Sequence, residues 1–384
     1  MLPLFVLAHF AHHLLTALPV PLLPMIRSDF GLDYTQSGFV ISAFILAYGM
    51  GQVPAGLLGD RLGPRILITT GILGVALAGV FVGLSRTYIM MIVFLVLMGV
   101  LGGGYHPSAP ALISTSVEPE NLGRALGLHM IGGGVSFFLA PLMAAGIGAT
   151  WGWRGSFITL AVPAAIFGVL LYVLLGQRLV VKRVQSQTTK TYDEETPDPG
   201  RFRRLAYFIF LSTFTHAVLY SIISFVPLFL VDHFLIPKAT AAALIAIIYS
   251  AGLWVGPLGG YLSDRLGRVP VILTVCTITG PLIYLLNLAP YRWGIVLLLL
   301  VMGITIYVRM PVAEAYIVGQ TSQRRRSTVL GIYFFGNMEG GGVLTMIMGY
   351  LIDQYGFSAS FTLAGAVALA VTLVCSVLLW GSRE

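Results

Sequence analysis

Nine ionisable side chains stand inside apolar stretches of this 384-residue chain: His9, His12, His13, His106, His129, His216, Arg309, Glu314 and Glu339. Each costs roughly 2.5 kcal/mol or more when charged at the centre of a bilayer, so each asks for a reason. Arg309 is the sharpest of them. A guanidinium stays protonated at any ordinary pH and must find an anion, a carboxylate or water. It is read either as the anchor for an anionic substrate group or as the partner of Glu314 or Glu339. Glu314 lies five residues on, about 140° around a regular helix, so a direct pair would depend on a bend at Pro311. A carboxylate at lipid depth can take and release a proton as water access alternates, which makes Glu339 and Glu314 candidates for proton coupling together with His9. Glu339 follows Asn337 and precedes Gly340-Gly341-Gly342, where backbones approach closely and bend easily.

The histidines have helical spacing. His9, His12, His13 and Thr16 share one face by i, i+3, i+4, and Thr213, His216, Tyr220 and Ser224 form a second stripe. An imidazole there serves substrate contact or proton binding, or is simply bonded to a neighbouring helix backbone. His129 is read as structural. Aromatic and amide side chains for a pocket wall include Tyr48, Tyr105, Tyr249, Tyr307, Tyr333 and Asn337.

The elements that hold these groups are membrane helices. Hydrophobic residues make up 57% of the chain and charged residues only 10%, which excludes a soluble globule. Twelve apolar runs, from about 2–26 to about 358–380, have the length needed to span roughly 30 Å of hydrocarbon as helix. The first lacks the basic start and small-residue cleavage site of a signal peptide, so it is expected to remain. Cys276 and Cys375 both sit in apolar runs, giving no disulfide framework.

The chain repeats itself. Gly56-Leu-Leu-Gly-Asp60-Arg61-Leu-Gly63-Pro-Arg65 returns as Gly260-Tyr-Leu-Ser-Asp264-Arg265-Leu-Gly267-Arg268, with the aspartates 264 − 60 = 204 positions apart. The same offset carries His12 onto His216, Met98-Gly99 onto Met302-Gly303, Pro107 onto Pro311 and Tyr105 onto Arg309. The expected division is an N-terminal six-helix bundle over 1–177, a polar linker over 178–203 and a C-terminal bundle over 204–384. Sixteen Lys and Arg fall on the side of the even-numbered connections and the C-terminal tail, against five on the other. By the positive-inside rule both termini and the linker face the cytoplasm. The net charge of +7 is explained by that placement, without nucleic acid.

Twelve helices in repeated halves, a basic central connection and the Gly-x-x-x-Asp-Arg-x-Gly turn after the second and eighth runs together resemble the major facilitator superfamily over the whole chain. The resemblance implies an all-α membrane protein of two pseudo-symmetric six-helix bundles, a multi-pass carrier of the cytoplasmic membrane. It also implies a central cavity lined by runs 1, 4, 7 and 10. It makes Gly56, Asp60, Arg61, Gly63 and Arg65, with Gly260, Asp264, Arg265, Gly267 and Arg268, a latch for the outward-open state. The series Gly127, Ser136, Ala140, Pro141, Ala144 and Ala145 in the fifth run resembles the glycine-and-proline motif of drug/proton antiporters, which points to export. Met98 stands where such antiporters carry an arginine. The stretch Ala8-His9-Phe10 through Pro24, with His106-Pro107, resembles the fosmidomycin-resistance branch.

The expected function is secondary transport of a small organic solute, with an anion among the candidates, by alternating access, as proton-coupled export or as proton-coupled uptake of a carboxylate. Substrate contacts would be His12, His13, Tyr105, His106, His216, Arg309, Tyr333 and Asn337, in a monomer that requires no cofactor. Another class is a transition-metal site built from His9, His12, His13, His106 and His216, which needs two or more of them to converge. No phosphate-binding loop and no catalytic Ser/His/Asp or His-Glu-x-x-His series appears, so neither ATP hydrolysis nor an intramembrane enzyme is expected.

Overall fold

In the computed structural model, which describes residues 2–114, 116–118, 122–179, 199–290 and 292–379, the described residues are helical almost throughout. Helices α1 (Leu2–Thr16) and α2 (Pro19–Phe30) make the first crossing, broken where Pro19 removes a backbone donor. Next come α3 (Tyr34–Leu62) and α4 (Pro64–Leu84), then the fourth crossing, α5 (Tyr88–Gly102) with α6 (Tyr105–Ser114). The second half contains α8 (Pro199–Phe234), then α9 (Lys238–Ser250) and α10 (Val255–Leu266) bent by 47° at a 3-10 turn, α11 (Arg268–Leu285) and α12 (Trp293–Gln320). Helices α7 (Leu122–Leu179) and α13 (Gln323–Leu379) are too long for one crossing, and each turns at a glycine in a non-helical conformation. Counting those as two spans each and the bent pair as one gives twelve crossings among the described residues. Helix α7 ends at Leu179 and α8 begins at Pro199, so helix reaches into both ends of the stretch read as linker; residues 180–198 lie outside the described residues.

The repeat is written into the backbone. Positive φ occurs at Gly63 and Gly267, at Gly152 and Gly356, and at Gly31 and Leu235, each pair 204 apart. The first two pairs are glycine in both copies because side chains rarely adopt that region. Gly99 and Gly303 press against the carbonyls of Phe44 and Ile248, again 204 apart, so the second and fourth crossings of each half meet with no room for a Cβ.

The halves are tied together at the end away from the Gly-x-x-x-Asp turns. Arg27 forms an ion pair with Asp232 and lies 4.1 Å from the Tyr34 ring, while the Tyr34 hydroxyl donates to Asp232 at 2.6 Å. The start of α3 shows why this end closes. Asp33 and Gln36 cap it reciprocally, and Asp353 of α13 accepts the next two orphan amides, Tyr34 N at 2.9 Å and Thr35 N at 2.7 Å. A carboxylate from one half thus completes a helix start in the other, where the helix dipole favours it. Farther in, Ser42 donates to the Gly342 carbonyl at 2.7 Å along the α3–α13 seam.

The described latch residues stay within their own halves. Arg65 donates to the Tyr172 carbonyl at 2.6 Å and covers that ring, and Arg265 covers the Tyr261 ring at 4.7 Å. Asp264, Gly267 and Arg268 line a crevice with Tyr316 and Gln320. Arg61 is exposed; the side-chain surroundings of Gly56 and Asp60 lie outside the described residues.

Replacing Asp353 with alanine removes a cap worth about 1 kcal/mol, and is expected to shift the balance about five-fold toward opening of this end. Distances between spin labels on α2 and the Gly356 turn would report it; an unchanged distribution would show that the cap does not hold the halves.

Candidate functional site

Two polar clusters occupy corresponding places in the two halves. In the second, Arg309 of α12 is only 4% exposed. Its Nη1 donates to the Ser212 carbonyl (3.2 Å), the Ser212 hydroxyl (2.9 Å) and the Tyr333 hydroxyl (2.9 Å), and its Nη2 donates to His216 Nδ1 at 2.8 Å. Ser212 and His216 are one helical turn apart on α8, and Tyr333 comes from α13, where Asn337 donates to the Tyr333 carbonyl at 2.9 Å. Every one of these acceptors is neutral. Among the described residues the ion pairs are Arg27–Asp232 and Arg154–Asp29, so Arg309 is paired with neither Glu314 nor Glu339. Its Nε is buried with no partner. Hydrogen bonds orient the guanidinium, and among the described residues no carboxylate forms a direct ion pair with it, the Glu314 carboxyl acting on it only from farther away.

In the first half, α1, α6 and α7 bring together His9, His12, His13, Tyr105, His106 and His129. His12 Nε2 meets the Tyr48 hydroxyl at 2.8 Å, and its ring stacks on Tyr105 at 4.3 Å. His9 stacks on His129 at 4.2 Å and donates through Nδ1 to the His129 carbonyl at 2.9 Å. His13 lies 5.2 Å from the His106 ring and 4.7 Å from Phe137, which itself meets Tyr249 of the other half at 5.2 Å. The run Gly132–Gly134 in α7 makes this approach practicable: a Cβ at Gly133 would fall 2.7 Å from the His9 ring.

The symmetric pairs behave alike in position and differently in chemistry. Residues 12 and 105 touch as stacked rings, while residues 216 and 309, each 204 later, touch through a hydrogen bond. Tyr105 belongs to the histidine cluster and is not among the hydrogen-bond partners of Arg309; its hydroxyl is buried and unpartnered. His129 also joins that cluster, donating to the Phe5 carbonyl at 3.0 Å. Ser212 is not among the candidates the sequence singles out, although its i, i+4 relation to His216 carries the signal.

Glu314 and Glu339 are each half-buried with Oε1 enclosed and without a hydrogen-bond partner. The Glu339 carboxylate lies directly on Gly49 of α3, at the seam between the halves. In α7, Ser136, Ala140 and Ala144 are fully buried and Ala145 nearly so, while Gly127 has open space around it.

The family model of the Major Facilitator Superfamily matches residues 5–234 and 208–384. The multidrug resistance protein MdtG of Salmonella typhimurium is 25% identical over 364 residues, covering 92% of this chain and 89% of that protein. A probable L-galactonate transporter of Escherichia coli is 29% identical over 153 residues, 40% of this chain and 34% of that protein. Among solved structures, an inward-facing, unoccupied bacterial homologue of the human lysosomal transporter Spinster superposes with a TM-score of 0.78 at 18% identity, covering 100% of this chain and 98% of the other. A D-xylose–proton symporter gives 0.79 at 16%, covering 100% and 97%. With both halves matched by the family model and twelve crossings in a repeated frame, the chain belongs to the Major Facilitator Superfamily and is a multi-pass membrane protein for secondary transport of small molecules, not an enzyme.

Proposed function

We propose that this transporter carries a small organic anion across the cytoplasmic membrane by alternating access, in exchange for protons and in the direction of export. The observation that carries the reading is Arg309: a buried guanidinium with four hydrogen bonds to neutral groups and no carboxylate partner among the described residues. Its surroundings hold it in place without neutralising it, so a bound anion regains what burial of the charge costs. His216 and Tyr333 complete the anchor, and Asn337 fixes the Tyr333 segment. His12, His13, Tyr105 and His106 face the solute from the first half.

Bundles 1–177 and 204–384 rock against each other in this reading, with both termini cytoplasmic and the chain acting as a monomer. The contacts of Asp353 and Asp232 hold the outer end shut, and the Asp60 and Asp264 turns latch the inner end in the opposite state. Glu339, resting on Gly49 where the halves slide, couples the movement to a proton, with Glu314 and His9 as further carriers. The name of the MdtG relatives favours export. A second reading, uptake of a carboxylate, is favoured by the shorter match to the probable L-galactonate transporter.

Counterflow of labelled organic anions in proteoliposomes tests the anchor. Arg309→Gln is expected to lower exchange about 100-fold, the loss of roughly 3 kcal/mol from a charge-assisted contact, while the variant remains folded. Unchanged exchange would remove Arg309 from the site. Glu339→Gln is expected to retain exchange at equal pH but to lose accumulation driven by a pH gradient; persistence of that accumulation would move coupling to another group. The orientation in which a gradient drives accumulation decides between export and uptake.

A further inference from the structure

Five of the seven histidines converge in the first half, more than an anion anchor in the second half requires. One ring nitrogen from each of His9, His13 and His106 lies within 4.8 Å of the others. The hydrogen bond of His9 fixes which of its nitrogens is free. His9 Nδ1 meets a carbonyl, which can only accept, so Nδ1 carries the proton and the lone pair is on Nε2, which is buried and without a partner. His13 Nδ1 meets Thr16 Oγ1 at 3.0 Å, and when the Thr16 hydroxyl donates to the His13 carbonyl, 3.4 Å away, Nδ1 is the donor and the His13 lone pair is on Nε2 as well. An outer acceptor on one ring nitrogen and a free lone pair on the other is the arrangement that orients metal-ligating imidazoles. Left as it is, a buried ring nitrogen without a partner costs about 1–3 kcal/mol.

We propose that His9, His13 and His106 bind a first-row transition ion of the Zn²⁺ class. The ligands are neutral nitrogens with no thiolate or carboxylate among them, which suits Zn²⁺, Ni²⁺, Co²⁺ or Cu²⁺ and not Mg²⁺ or Ca²⁺. Metal–nitrogen bonds of about 2.0–2.1 Å require the three nitrogens to draw closer than they stand, by small ring rotations. His106 is half-buried, which leaves the ion a way in. His12 is held by Tyr48 and stays outside the set. Three neutral ligands leave the ion's double charge uncompensated and a fourth position open, so the site takes an anionic oxygen or water there. The ion would join α1 to α6 within one half and add a second electropositive point beside the transport path. The proposal does not rest on the anion reading at Arg309; a bound ion would take His9 out of proton carriage and present its open position where His13 and His106 face the solute.

The test is a Zn²⁺ titration by calorimetry of the full-length, chelator-stripped protein in detergent, purified without a polyhistidine tag. Wild type is expected to bind one Zn²⁺ per chain and to melt at a higher temperature in its presence. His13→Asn and His106→Asn are each expected to weaken binding at least about 100-fold, and Thr16→Val, which removes only an outer acceptor, about 10-fold. His233→Gln, on the only histidine near the opposite-end ion pair, is expected to bind as wild type does. Gel filtration and the metal-free melting temperature establish that each variant is folded, and His106→Asn, the least buried of the three positions, serves if His13→Asn is not. Absence of saturable Zn²⁺ binding by wild type overturns the proposal, as does equal affinity in folded His106→Asn.

Discussion

A buried guanidinium with no direct ion-pair partner among the described residues is the constraint around which the second half is built. Burying Arg309 removes its hydration, and the surrounding groups return hydrogen bonds but no negative charge. Three helices must stand in register to supply them: α8 with Ser212 and His216, α12 with the arginine, and α13 with Tyr333. The arrangement is a preorganised electropositive point at a buried position, where interactions are stronger than in water.

Around that point the fold supplies movement. Helices of the two halves meet through glycine, at Gly49 under Glu339 and at Gly342 beside Ser42. Closure at one end rests on polar contacts between exposed and partly buried groups, Asp353 on the start of α3 and Asp232 on Arg27 and Tyr34. Individually such contacts are weak and exchangeable with water. That weakness suits a gate, because states that interconvert must differ by only a few kcal/mol.

Much of the frame was legible in the sequence because it is repeated. An offset found from two acidic turns also predicts where the backbone takes positive φ, at Gly63 and Gly267 and at Gly152 and Gly356. Arg309 was legible because a charge in an apolar run is costly and therefore conspicuous. Its partners were partly so: Tyr333 was singled out, whereas Ser212 was overlooked beside the longer stripe through His216. The gate at the far end was not legible. Asp353 caps a helix start 319 positions away in sequence, and in isolation it reads as an ordinary loop acid. His129 was read as structural, and it does bond a backbone carbonyl, but the glycines at 132–134 bring α1 close enough for its ring to stack on His9. Contacts of that kind depend on which helices meet, and no local pattern encodes them.

The central claim is that Arg309 awaits an anion. The most direct measurement is equilibrium binding, by calorimetry, of an organic carboxylate and of its uncharged amide of the same shape to the wild-type protein. The account predicts that the carboxylate binds about 100-fold more tightly, the ratio expected of roughly 3 kcal/mol from a buried charge-assisted contact, and that the preference disappears in Arg309→Gln. Equal binding of the two compounds by wild type would contradict it.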